Sequence, residues 1–469
     1  MCIAVEFRDE VSVWLRPKTR KEPCHAPSIL RSSNVLKNTQ AMDGVCVADA
    51  VHEPYTSGDQ HSVSERRASL LARVPVFGAF SLLVLLLAIG KHHFGNIQRA
   101  WKMLGIPALE QTFADTRTIT HSINCLLSGR NPYFDRSFDP WHRLYNYPPI
   151  WLDLRYLGIR ASSTNWIGMA LVLGGAAACA LLFRARRWTS GVIIFAALLC
   201  WPFLFAIERG NTDLAIFAFL IFGLLAIERT GKRTWALRQG SLIVVLTVLK
   251  VYPVATVVAM VRNRRAIVAA ACTAALAVAA LVITCGHDLR LVLGNTPWMT
   301  VYSFGSYPFL HQIGTLSGGR LDALMDEHGA LPSLFALVLG LLMFAAGAKR
   351  RTGLTAILPE IDLETARGCI CLSGLAIYCL AFVLGCSFDY RLVFLFCPLM
   401  YLIEDLNRGT SHRSLLPALV ILAFLWSPYL GETLVGELLD GIVYATGCVW
   451  IGATLTCNFH KALTLGQAQ

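Results

Sequence analysis

The chain has 469 residues, 55% of them hydrophobic and only 15% charged, with a mean hydropathy of +0.54. A soluble domain carries about 25% charged residues, so a soluble globular protein is excluded. The net charge of +11 does not mark a nucleic-acid binder either. The basic residues fall in short runs, "RARR" (184–187), "ERTGKR" (228–233), "RNRR" (262–265) and "KRR" (349–351), not in a basic groove interleaved with aromatics. Short loops of this kind face the cytoplasm.

Residues 1–65 are polar and aperiodic, containing "RPKTRKEP" and "HEPYTSGDQ", and read as a disordered N-terminal extension. They lack the layout of a cleaved signal peptide, and Met42 offers a second candidate start. The first apolar run, "VPVFGAFSLLVLLLAIG" (74–90), is long enough to cross a bilayer and enters behind Arg66, Arg67 and Arg73. An outer loop, 91–148, follows it. Within that loop "FADTRTITHSI" (113–123) reads as a helix. Asp115, Ile119, Ser122 and Leu126 form one stripe, opposite Arg117 and His121, and Gly129 ends the helix. A carboxylate on an apolar stripe is expensive; it either serves as a partly desolvated base or pairs locally with Arg117.

"YNYPP" (145–149) places tyrosines at an interface and two prolines that fix an extended entry to the next segment. That segment, 148–160, is too short and charged to cross, and lies at the outer interface or dips in. Crossing spans are expected at 163–183, 189–206, 212–228, 266–285, 332–348, 368–386, 391–404, 413–427 and 436–456. One stretch departs from this: "SLIVVLTVLKVYPVATVVAMV" (241–261) has basic loops at both ends and Lys250 and Pro253 near its middle. It reads as two half-length helices turning at Lys250-Val251-Tyr252-Pro253, which is tolerated at membrane depth only beside a cavity; one kinked span is the alternative. The whole is an all-α polytopic membrane protein of about ten crossing helices, a re-entrant or broken hairpin and a helical first outer loop. Its transmembrane domain covers 66–457 and a short cytoplasmic tail 458–469.

The polar exceptions then gather on the outer side: Asp115, "YNYPP", "ERGNTD" (208–213), Lys250, the 286–331 loop and "FDYR" (388–391). Ionisable groups in or near spans tend to mark function. Lys250 suits a phosphate anchor or snorkels to the interface. Glu208, Arg209, Asn211 and Asp213 can pair with one another or bind sugar hydroxyls. Arg391 grips a phosphate or neutralises Asp389. The fifteen cysteines are scattered without metal spacing and read as small packing residues. There is no Asp-x-Asp motif in an outer loop. Asp135 and Asp139 in "FDRSFDP" read as a solvated loop, and no metal or cofactor is called for.

Five stretches in order, "FADTRTITHSINCLLSGRNPY" (113–133), "YNYPP" (145–149), "RGNTD" (209–213), "LKVYP" (249–253) and "FDYRLVFL" (388–395), resemble glycosyltransferase family 87. This family comprises GT-C class membrane enzymes, and the resemblance spans roughly 74–456. It implies a mannose-like hexose, or a pentose, carried on a polyprenyl phosphate and moved to a lipid-linked or envelope glycan acceptor. Transfer would occur on the periplasmic side of a bacterial inner membrane, with inversion. It implies Asp115 as general base; the charge and placement of Lys250 and Arg391 themselves would then make them the donor-phosphate ligands. Tyr145, Tyr147, Arg209, Asn211, Asp213, Asp389 and Tyr390 would bind substrate, with His311 and Gln312 of "LHQIG" (310–314) beside them. The rival reading is a transporter or flippase of a lipid-linked saccharide. Broken helices fit it, but no internal repeat is visible.

Overall fold

A computed structural model describes residues 69–230, 234–262, 264–286, 288–296, 301–316, 318–349, 356–409, 413–431 and 433–466. The polar extension 1–65 lies outside the described residues. Among the described residues the fold is almost entirely helical, with one two-stranded antiparallel contact.

The first helix, α1 (Val74–Phe94), is apolar around its whole circumference. It has Pro75 in its first turn and ends at the left-handed Gly95, with Lys91 in its last turn, where a cation complements the helix dipole. The outer loop is itself built of α2 (Ile97–Met103) and α3 (Ala114–Leu127). A 3-10 helix, Pro149–Leu157, follows and does not cross. Then come α4 (Thr164–Leu182), α5 (Trp188–Leu198), α6 (Trp201–Arg209) and α7 (Thr212–Glu228). The span expected at 189–206 is thus two helices, bent by 43°. Pro202 in the first turn of α6 supplies no backbone N–H to continue α5.

The stretch 241–261 is a hairpin. α8 (Trp235–Leu249) stops at an extended Lys250, and a 3-10 helix, Tyr252–Met260, returns against it. Its two ends meet: the Arg262 guanidinium lies 4.0 Å over the Trp235 ring and donates to Gln239 Oε1 at 3.4 Å. Beyond it run α9 (Arg264–Cys285), α10 (Asp288–Asn295), β1 (Ser303–Phe304), α11 (Ser306–Leu316), α12 (Arg320–Glu327) and α13 (Leu331–Ala348). The chain closes with α14 (Ala366–Val383), β2 (Ser387–Phe388), a 3-10 turn Asp389–Leu395, α15 (Phe396–Arg408), α16 (Leu415–Trp426) and α17 (Leu434–Gly466).

Among the described residues six helices are long and apolar enough to cross a bilayer, or seven with α5–α6 counted as one bent span. The stretch expected to cross at 212–228 is a helix of 17 residues, at the lower limit of a crossing, whereas those at 391–404 and 413–427 hold α-helices of 13 and 12 residues, below it. Burial divides the helices by role. α14 is enclosed by protein, whereas α1, α9 and α13 leave most of their apolar side chains outward, as lipid-facing helices do. The centre is packed by aromatics, with Phe183, Phe203 and Phe217 all against Phe396. Of the described cysteines only Cys272 is exposed and none is in a disulfide, in keeping with a packing role.

Candidate active site

The N-terminus of α3 is held by strain and by three cross-chain bonds. Phe113 sits in the left-handed region at φ 58°, an unfavourable conformation for a non-glycine residue. Its ring fills notches at two glycines: a Cβ on Gly168 would come within 2.3 Å of it, and one on Gly210 within 2.9 Å. The Phe113 amide donates to Glu208 O at 3.1 Å. Thr116 Oγ1 donates to Gly210 O at 2.5 Å, and Asn211 Nδ2 donates to Asp115 Oδ2 at 2.5 Å. At its other end α3 closes with Arg130 N bonded to Cys125 O and Gly129 N to Leu126 O, Gly129 being left-handed, a Schellman ending.

Asp115 is buried on the expected stripe with Ile119 and Ser122. It does not pair with Arg117, which instead meets His121 and Thr112 O. The face carrying Arg117 and His121 is half-covered, because His121 Nδ1 meets Phe138 O at 2.9 Å. The second partner of Asp115 is Arg143, whose Nη1 approaches Oδ1 at 3.4 Å. Arg143 is itself fixed by Asp139 through Nε at 3.1 Å and Nη2 at 2.9 Å, and by Ala114 O. Asp139 is therefore buried and fully engaged, not part of a solvated loop as its sequence suggests. Burial works to raise its carboxyl, but the guanidinium and the amides of Trp141 and Arg143 outweigh that and hold it below the ordinary range.

Asn211 joins this half of the site to the next. Its Oδ1 accepts from Lys250 Nζ at 3.5 Å and from the Asp213 amide at 2.8 Å, capping α7. Its side chain also reaches Tyr390. Asp213 is the focus of the second half: Lys250 Nζ and Tyr252 Oη both donate to its Oδ1, and Arg391 Nε stands 3.4 Å from its Oδ2. Arg391 also donates to Ser387 Oγ at 2.6 Å. Two cations thus share one carboxylate. Three rings surround them, with Lys250 Nζ 5.7 Å from the Tyr147 and Tyr252 centroids and 5.9 Å from that of Tyr390.

The tyrosine turn is built for rigidity. Pro148 is extended at φ −53°, ψ 145°, and Pro149 opens the 3-10 helix. Tyr145 donates to Pro148 O at 3.1 Å and Tyr133 to Tyr147 O at 3.1 Å. Asn295 Nδ2 caps both Tyr133 O and Tyr145 O. Trp151 Nε1 donates to Leu249 O at 2.9 Å, tying this turn to the tip of the hairpin. Burial, with the Asp115 charge adding to it, keeps the Tyr147 phenol protonated well beyond its usual range.

Of the residues expected at the site, Asp115, Tyr147, Asn211, Asp213, Lys250, Tyr390 and Arg391 come together, with Tyr145 directly behind Tyr147. Arg209 turns away: it pairs with Glu208 at 3.3 Å, donates to Pro107 O and lies over Phe205. Arg391 is drawn to Asp213, while Asp389 lines a neighbouring cavity of about 60 Å³ with Tyr302, Glu437 and Asp440. His311 stacks on Tyr307 and meets Asp322 Oδ1 at 2.8 Å on α12; Gln312, beside it on α11, bonds Thr315. Neither has a contact to Asp115 or Lys250 among those described here. Arg143 is the site residue that the sequence left unremarked; Asp139 read there as solvated loop and Tyr252 only as part of the hairpin turn.

Residues 145–358 match the model of glycosyltransferase family 87, which bears out the resemblance carried by the ordered motifs. The stretch includes Tyr147, Asn211, Asp213 and Lys250, while Asp115 and the Phe-Asp-Tyr-Arg turn flank it. The match supports a membrane glycosyltransferase. No curated protein and no solved structure matches the chain.

Proposed function

We propose that this family 87 chain transfers a sugar from a polyprenyl-phosphate donor to a glycan or glycolipid hydroxyl, on the periplasmic face of a bacterial inner membrane. One observation carries the reading. A single side chain, Asn211, holds the carboxylate of Asp115 at 2.5 Å with its amide nitrogen and meets Lys250 with its amide oxygen. A base and a cationic centre are thereby set side by side, as displacement of a phosphate leaving group requires.

In this mechanism the acceptor oxygen attacks the anomeric carbon as its proton passes to Asp115. The bond from that carbon to the phosphate oxygen breaks, and polyprenyl phosphate departs with the electron pair. Lys250 and Arg391 take up its growing charge. They are suited to this because they share only Asp213, which leaves one positive charge for an incoming phosphate. A phosphate leaves without a second carboxylate acting as acid, and one displacement inverts the configuration. Asn211 and Arg143 fix the orientation of Asp115 without exhausting its lone pairs. Tyr147 and Tyr390 offer ring faces and hydroxyls to the sugar.

The test is incubation of the purified protein with polyprenyl-phosphate sugars, nucleotide sugars and candidate acceptors. The expected result is a glycosylated, inverted product and free polyprenyl phosphate, formed from the lipid donor alone. Efficient transfer from a nucleotide sugar, or passage of a lipid-linked saccharide across a vesicle membrane without any transfer, would overturn it.

A further inference from the structure

The far end of the same helices carries a second polar cluster. α7 begins at the site residues Thr212 and Asp213 and ends at Glu228, which accepts the amide of Ala366 at 2.8 Å. Seventeen helical residues separate the two ends, about 25 Å. There Arg73 precedes α1, Arg184 and Arg187 lie between α4 and α5, Arg367 opens α14 and Arg408 closes α15.

Apart from Arg367, which pairs with Glu404, these arginines are gathered by backbone contacts and not by carboxylates. Ala185 N donates to Ala72 O at 2.7 Å, and Asn407 bonds Arg184 O at 2.6 Å and Arg186 N at 2.9 Å. The Arg187 guanidinium lies against Gly409, where a Cβ would strike it. The charges of Arg184, Arg408 and Arg73 all bear on Arg367. The carboxylates nearby are already engaged: Glu404 with Arg367, Glu228 with the Ala366 amide, Asp405 with Ser414. Among the described residues Arg73, Arg184, Arg187 and Arg408 have no carboxylate partner, and Arg73 Nε is buried without any acceptor. Converging guanidiniums without carboxylate partners leave their donors available to an anion.

The rim of the cluster says what kind of anion. Trp188, next to Arg187, is 80% exposed, and Val74, Phe77 and Val192 on the adjoining faces of α1 and α5 are exposed too. α1 and α5 pack together there. Exposed apolar side chains below a basic cluster, with a tryptophan at their boundary, are the setting for a lipid headgroup and its acyl chains. We propose that this cluster binds the phosphate of an anionic phospholipid, with the acyl chains running down the outer faces of α1 and α5.

The test is native mass spectrometry of the full chain titrated with phosphatidylglycerol, phosphatidylcholine and inorganic phosphate, with no sugar donor present, so that its outcome is independent of the transfer reaction. Phosphatidylglycerol should be retained in preference to phosphatidylcholine. Each of the exposed arginines Arg187 and Arg408 should contribute about fivefold to that retention, the size expected of one basic side chain at an anionic surface. Arg187→Ala with Arg408→Ala should therefore lose most of it, while the paired Lys substitutions keep most of it and show that the fold is intact. Equal retention of both lipids by the wild type, or an undiminished preference in the double Ala variant, would overturn the proposal. Inorganic phosphate binding as tightly as phosphatidylglycerol would overturn the lipid as its source.

Discussion

The two ends of α7 pose the same electrostatic problem and meet it differently. At the Asp213 end, charges are buried and locked. Asp115, Asp139 and Asp213 are enclosed; Asp115 and Asp213 are held by groups from distant parts of the chain, and Asp139 by Arg143 four residues on. At the Glu228 end, Arg184, Arg187 and Arg408 are exposed and gathered by backbone contacts. Enclosure in low dielectric makes each buried charge depend strongly on its neighbours. Exposure leaves a basic cluster adaptable and cheap to alter. The first arrangement suits chemistry that needs fixed geometry, the second suits attraction of a mobile anion.

That contrast can be broken by substitution, and the largest effect is expected at the enclosed end. Asp115→Asn should cut transfer by about 10²–10⁴-fold, the usual worth of a general base; a loss below tenfold in turnover assays would break the account. Lys250→Ala leaves Asp213 balanced by Arg391 but removes a buried charge-assisted hydrogen bond, so unfolding should become easier by about 1.5–3 kcal/mol. Denaturation in detergent checks this, and adding Asp213→Asn should return part of the loss if the two residues are coupled. Gly210→Ala should cost about 1–2 kcal/mol, because φ is +55° there and the new methyl meets Thr116 Oγ1 and Phe113. It should also lower turnover by moving Asn211, which kinetics on the variant would show. The smallest effect is expected at the far end: Glu404→Gln replaces the half-buried Arg367 ion pair by a neutral hydrogen bond, should cost about 1 kcal/mol, and should leave turnover unchanged.

The membrane class, the helical outer loop and the hairpin at Lys250 were all legible from local pattern, since apolar runs, stripe spacing and a proline beside a lysine are properties of neighbouring residues. Asp115 stood out for the same reason: a carboxylate in line with Ile119 and Ser122 needs explaining wherever the chain goes. The partners were not legible. Arg143 lies in "PWHRLY" (140–145), a stretch with no period, and its tie to Asp139 and Asp115 exists only once the loop folds over α3. Arg391 follows Asp389 closely in sequence, yet it faces Asp213, 178 positions earlier, because the β1–β2 contact turns the Phe-Asp-Tyr-Arg segment inward. The span count suffered in another way. The helices α15 and α16 are apolar enough to suggest crossings, but a helix packed largely against protein can be shorter than the bilayer is thick.

The central claim is a division of labour within one pocket, with Asp115 handling the proton and Lys250 the donor phosphate. Equilibrium binding of polyprenyl phosphate to the wild type, Asp115→Asn and Lys250→Met, measured alongside turnover, tests it most directly. The account predicts that Asp115→Asn binds the lipid phosphate as the wild type does yet transfers almost nothing, while Lys250→Met loses the binding. Unweakened binding by Lys250→Met, or transfer by Asp115→Asn at the wild-type rate, would contradict it.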